Sequence, residues 1–178
     1  MAVTEFNLAT HQRAERKLLL TVAEWSEGTG TNATQVRELL GRRTEDSSIE
    51  YNADIETTTD ILGINYTDIN KTQPQQDFDP YLILGGSKLG AKLNDIRRRN
   101  AVSELNQFTC YIITAYAGSS GAYEAEKHEE CTITYNSLGG DSNVNMPISV
   151  YFSNKITTGT VDKLDDTFTF TADVTVGG

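Results

Sequence analysis

Proline and cysteine are scarce in this chain, three and two among 178 residues, so neither a collagen-like repeat nor a disulfide scaffold is open to it. Cys110 and Cys131 stand outside any Cys-x-x-Cys spacing and read as buried free thiols in a reducing compartment. No apolar run approaches the roughly 18 residues of a membrane-spanning helix, the longest stretches being 17–23 and 110–117, and a soluble protein is expected. Residues 1–11 have no basic region followed by an apolar one, so no secretory signal is read there and synthesis and folding in the cytosol are expected. Histidine occurs only at positions 11 and 128, leaving few bases for neutral-pH catalysis. The single tryptophan and the eight tyrosines fall mostly at apparent core positions. The exposed aromatic patch that a carbohydrate-binding or adhesin-like β-sandwich would need is therefore not evident, and that class stands as the competing reading.

What is present is acid. The formal net charge is −10, from 25 Asp and Glu against 15 Lys and Arg, which disfavours sequence-independent DNA binding through released counterions. The charge is also segregated: residues 44–80 hold nine acids and one lysine, whereas 81–105 hold five bases and two acids. Different surfaces of the folded chain should thus differ in sign.

Threonine alternates with apolar and aromatic residues along much of the sequence, the period-two pattern of half-buried strands. A first strand is expected over 16–25, and a short helical turn over 34–40 ending at Gly41, with Thr34 as its cap. Residues 49–59 read as one strand of about 36 Å, with Ile49, Tyr51, Ala53, Ile55, Thr57 and Thr59 on a core face and Glu50, Asn52, Asp54, Glu56 and Thr58, then Asp60, on an acidic one. A second stretch follows over 60–69. One helix is expected to begin at Asp79-Pro80, carry Leu82, Leu89, Leu93 and Ile96 inward and end in Arg97, Arg98 and Arg99. Further strands are expected near 108–117, 130–135, 148–152 and 166–176. The fold class is mainly β, an antiparallel β-sandwich or barrel with one flanking α-helix, in one domain of 178 residues with extended arms at 1–15 and 163–178.

No catalytic constellation emerges. The charged stretch 124–130 places His128 in a solvated loop or strand edge, and Glu126, His128 and Glu130 supply one imidazole without a second metal motif. Glu50, Asp54 and Glu56 meet the spacing of glycosidase carboxylates only as alternate residues of any strand would. Asp141, Asp162, Asp165 and Asp166 lack the regular spacing of a calcium loop and read as turn residues. The arginines at 97–99 suit either a phosphate or acidic partner or simply the helix dipole.

Several segments, in order, resemble the major tail tube proteins of long-tailed, non-contractile bacteriophages. They are Trp25 with the threonine-rich loop behind it, Leu39-Leu-Gly41, Asp46-Ser-Ser-Ile-Glu-Tyr-Asn52, Glu56-Thr-Thr-Thr-Asp-Ile-Leu-Gly63, Pro74-Gln-Gln-Asp-Phe-Asp-Pro80, Gly139-Gly-Asp141 and Gly159-Thr-Val-Asp162. The resemblance covers roughly residues 16–170. It implies a ring-forming sandwich whose hexamers stack into a tube for DNA, with no enzymatic step, cofactor or metal. Implied partners are further copies of the chain, a tape measure protein inside the lumen, tail-tip and tail-terminator proteins, and DNA that passes without specific binding. The expected location is the virion tail, reached from the host cytoplasm, without membrane insertion. On this reading Glu50, Asp54, Glu56 and Asp60 line the lumen, where a wall poor in cations repels phosphates within a Debye length of about 8 Å. Glu27, Gly28, Thr29, Gly30, Thr31 and Asn32 form a loop expected to touch the next ring, as are the two arms.

Overall fold

The structure is a computed structural model that describes residues 6–28 and 30–173. The chain is mainly β, with antiparallel sheets and one helix. In chain order its elements are β1 (Leu19–Glu27), β2 (Thr34–Leu39), β3 (Ile49–Glu50), β4 (Asp54–Thr59), β5 (Asn65–Lys71), β6 (Gln75–Phe78), α1 (Lys88–Arg99), β7 (Phe108–Ser119), β8 (Ala122–Tyr135), β9 (Ile148–Tyr151), β10 (Ile156–Val161) and β11 (Phe170–Ala172).

The longest strand, β8, belongs to two sheets at once. Its first half lies between β7 and β10, while its second half pairs with β9 and, through it, with β6 and β3. The switch falls where Phe108 faces Cys131 but Cys110 faces His128, so β8 carries one extra residue. Glu130, at φ 58°, absorbs it. Such a bulge bends its strand and lets the chain turn a corner between packed sheets.

Inside the fold, alternate residues serve two cores. Ala23 and Trp25 of β1 with Phe108, Cys110 and Ile112 of β7 point toward β6, β9 and α1, joining Phe78, Ile133, Ile148 and Val150. Val22, Tyr111 and Ile113 point the other way and are covered by Val161 and Phe168. Strands buried on both faces explain why β7 reads as a nearly continuous apolar run in sequence. Arg37 fastens this second layer: it pairs with Glu24, donates to the Phe168 carbonyl and lies 4.3 Å from the centre of the Phe168 ring. At Gly159 the crossing is so close that a Cβ would stand 2.3 Å from the Thr171 carbonyl oxygen.

Four expectations give way here. Residues 34–39 form a strand rather than a helical turn, because pairing with β1 sends Arg37 and Leu39 to one face and Val36 and Glu38 to the other. The helix starts at Lys88, not at Asp79-Pro80: Gly86 at φ 85° breaks the chain, and Ser87 caps by accepting from the Gly90 amide. Glu38 completes that cap from β2, accepting from the Lys88 and Leu89 amides, from Ser87 Oγ and from the Tyr81 hydroxyl. Within 166–176 only 170–172 pair as strand among the described residues, since Asp162 and Asp165 brace turns by accepting from the amides of Thr169 and Thr167. Lastly, the single strand expected over 49–59 is broken into β3 and β4 at Tyr51, Asn52 and Ala53, with Asn52 at φ 40°. The two pieces pair with different partners, β3 with β6 and β4 with β5.

Candidate functional site

Beyond that break the chain leaves the sandwich. β4 and β5 form a separate two-stranded antiparallel sheet, and every residue of both strands is exposed. Their register sets Ile55 opposite Ile69, Glu56 opposite Asp68, Thr57 opposite Thr67 and Thr58 opposite Tyr66. One face therefore shows Ile55 and Ile69 with a ladder of Thr57, Thr67, Thr59 and Asn65, and the other shows Glu56, Asp68, Thr58 and Tyr66. Side-chain support is slight: Thr59 donates to Asn65 at 2.6 Å, and Asn70 reaches Glu56 only at 3.5 Å.

Two physical oddities mark this hairpin. Glu56 and Asp68 sit directly across from each other, an arrangement that repels when nothing positive intervenes. Ile55 and Ile69 remain 59% and 65% exposed, although the alternation that places them together is the pattern of a buried face. A lone two-stranded sheet is marginal in water, and both outer edges here offer unpaired backbone groups with no proline to block them. The face expected to be core is instead exposed at Ile55, Thr57 and Thr59, and nothing among the described residues covers it.

At the hairpin end the Asp60 carboxylate organises the turn. It accepts from the amides of Leu62 (2.8 Å) and Ile64 (2.9 Å) and from the Tyr66 hydroxyl (3.2 Å). The Ile64 amide, above all, holds this carboxyl below the usual range of aspartate. This bracing lifts Ile61 and Leu62, 102% and 77% exposed, to the tip.

The four acids expected to share one face are thus distributed. Glu56 lies on the acidic face of the hairpin, Asp54 opens β4 opposite Lys71 at a register shift, Asp60 braces the turn, and Glu50 stays behind on β3. There Glu50 lines an acidic hollow of about 230 Å³ with Asp46, Asp77 and Asp79. Asp68, the true neighbour of Glu56, was not singled out from the sequence; the alternation of β5, counted back from the turn, carried the signal. Of the loop, Glu27 ends β1 and accepts from the Trp25 indole at 3.0 Å, Gly28 has φ 90°, and Gly30, Thr31 and Asn32 form a turn of 3-10 helix. Thr29 and the arm residues 1–5 and 174–178 lie outside the described residues.

His128 departs from its expected solvated setting. It is 1% exposed within β8, its Nδ1 2.9 Å from the Ser153 carbonyl and its Nε2 3.3 Å from a Glu126 oxygen, with Phe152 against the ring. Burial by itself would lower the pKa of the imidazole. The Glu126 carboxylate and the Ser153 carbonyl outweigh that effect and raise it. Glu130, at the bulge, pairs with Lys155 instead of joining Glu126 and His128. Among the described residues no three groups converge as a metal site. At the end of α1, Arg99 pairs with Asp95 and Glu104, and Lys92 with Glu104. Arg97 reaches only Asn94, and neither it nor Arg98 meets a carboxylate among the described residues.

No protein-family model matches the chain, and no curated protein matches it either. Among solved structures it is similar to a chain of the anti-feeding prophage tube-terminating cap, with a TM-score of 0.47 and 13% identity over 90% of this chain and 99% of that one. It is similar also to a chain of the PVC sheath-tube complex, an extracellular contractile injection system in its extended state, with a TM-score of 0.45 and 9% identity over 85% and 94%. A third likeness is to a chain of the anti-feeding prophage baseplate, with a TM-score of 0.45 and 9% identity over 85% and 97%.

Proposed function

We propose that this chain is a non-enzymatic structural protein of a phage tail or tail-like particle, polymerising as stacked hexameric rings into a tube that conducts DNA. The observation that carries the reading is the hairpin β4–β5, a two-stranded sheet with both faces and both edges uncovered among the described residues. Such an element is stable only when neighbours complete it. Edge-to-edge pairing of hairpins from successive copies satisfies the unpaired backbone, and six copies with two strands each close a wall of about twelve strands without an edge. The sequence resemblance to tail tube proteins supplies the ring and its copy number.

In that wall the Glu56 and Asp68 face turns to the lumen, and the Ile55 and Ile69 face turns outward against the sandwich bodies. Like charges otherwise pressed together across the hairpin then border a wide aqueous channel. Six chains of formal charge −10 bring about 60 negative charges to a ring, part of them inward, so that DNA slides without being held. Before DNA passes, the same lumen holds the tape measure protein, and tip and terminator proteins close the two ends.

Electron microscopy of the concentrated, untagged chain tests this directly. Hollow tubes or six-fold rings are expected, and they should vanish when residues 53–72 are replaced by a short glycine linker while the sandwich still unfolds cooperatively. A monomer that stays monomeric even with tail-tip complexes added would overturn the reading.

A further inference from the structure

We infer that the hairpin tip is an apolar plug whose socket is a groove at the opposite end of the same sheet on a second copy of this chain. The plug is Ile61 and Leu62, which point into solvent from a turn already stiffened by Asp60. Because the turn is braced before any contact, docking it costs little further ordering.

The socket is a groove of about 380 Å³ whose rim is Ile83, Leu138 and Val144 with Ala91 of α1 and whose floor is Met146 and Gly90. Ile83, Leu138 and Val144 are 41%, 46% and 53% exposed, so an apolar lining faces water. The Ile83 amide donates to the Val144 carbonyl at 3.0 Å, which fixes two walls relative to each other. Displacing the water from such a lining with branched aliphatic side chains is favourable in proportion to the area covered.

Charge selects the occupant. The groove runs along α1 from Gly90 past Asn94 toward Arg97 and Arg98, one helical face by their spacing of three and four. Asp60 stands directly before Ile61 at the tip, and the turn 60–64 carries no cation. An acidic, apolar-tipped hairpin therefore matches a basic-ended apolar groove, and the same chain carries both.

Position makes the contact directional. The hairpin is rooted at the Gln75 end of the β6–β9 ladder, where the Gln73 amide meets the Tyr51 carbonyl. The groove lies past the other end, beyond Phe78 and Ile148, where Leu82 bridges Asn145. Plug and socket at opposite ends of one ladder give a heterologous contact, which propagates head to tail instead of closing a two-fold dimer. Resting on the ring reading above, this contact joins each ring to the next and sets the stacking direction.

Cysteine trapping tests it, since the native Cys110 and Cys131 are fully buried. The full-length chain with Leu62→Cys and Val144→Cys together, oxidised mildly, is expected to give a ladder of covalent oligomers, and each single variant at most a dimer. A disulfide demands Cα atoms about 4.4–6.8 Å apart, so random collision does not mimic the ladder. Leu62→Asp is expected to leave rings intact and raise the concentration needed for tubes about tenfold or more. Tubes without a ladder would overturn the plug and leave the ring reading standing. A ladder from a chain that never forms rings or tubes would support the plug and sink the ring reading. Neither ladder nor assembly, with tail-tip complexes present, would sink both.

Discussion

Replacing both isoleucines on the apolar face of the hairpin, Ile55→Ser with Ile69→Ser, separates assembly from folding. In the isolated chain these side chains are 59% and 65% exposed and touch nothing in the core. Surface substitutions of that kind change stability by about 0.5 kcal/mol or less, so the urea midpoint should hardly move. In the tube the remaining exposure is lost. Full burial of an isoleucine is worth about 1.5–3 kcal/mol, and six-tenths of that at two positions comes to about 2–4 kcal/mol per copy. At about 1.4 kcal/mol for each factor of ten, the critical concentration for polymerisation should rise by about 30- to 700-fold. Sedimentation of serial dilutions reads that concentration, and chemical denaturation of the unassembled fraction reads folding. A variant that polymerises at the wild-type concentration would refute the outward placement of this face. One that loses two or more kcal/mol of monomer stability would refute the claim that the hairpin is uncovered within the chain.

Glu56→Lys with Asp68→Lys should still permit tubes, because the acidic face makes no intersubunit contact in this reading, but should lower DNA delivery; infectivity equal to wild type with normal tubes would contradict a lumenal position. Arg37→Ala removes the partner of the nearly buried Glu24 and the clasp on Phe168, at a cost of about 2–4 kcal/mol in urea denaturation. Arg37→Lys should recover only part of it, since a lysine cannot span the carboxylate and the carbonyl together. The raised pKa of His128 stabilises the fold fully below about pH 6.5, the unfolded value, and that contribution is lost as pH rises through the folded one. His128→Gln should therefore narrow its stability deficit between pH 6 and pH 8, and a deficit that widens with pH would show that the imidazole is neutral in the native state.

Much of the architecture is written locally. Apolar-rich runs place β1, β7 and β9 within a few residues, since a strand buried on both faces must carry apolar residues at most positions whatever its neighbours are. Helix α1 is legible in Leu89, Leu93 and Ile96 and in its arginine end, although its start is not. Ser87 caps it, but the cap is completed by Glu38, distant in sequence and brought near only by the fold. Residues 34–39 fail for the same reason: their spacing suits a helix turn as well as a strand, and the edge of β1 decides.

Residue order alone determined that this is a mainly β chain with an acidic middle segment, because threonine alternation and nine acids against one lysine over 44–80 are properties of that order, not of contacts. Only the tertiary structure decided where that segment goes. A period-two pattern announces that one face will be buried but does not name the burier, and β4–β5 satisfies the pattern without a partner among the described residues. The bulge at Glu130, the break at Asn52 and the pairing of Glu56 with Asp68 all depend on which strands meet at long range. Those encounters are settled by the free energy of the whole core, which no local window contains.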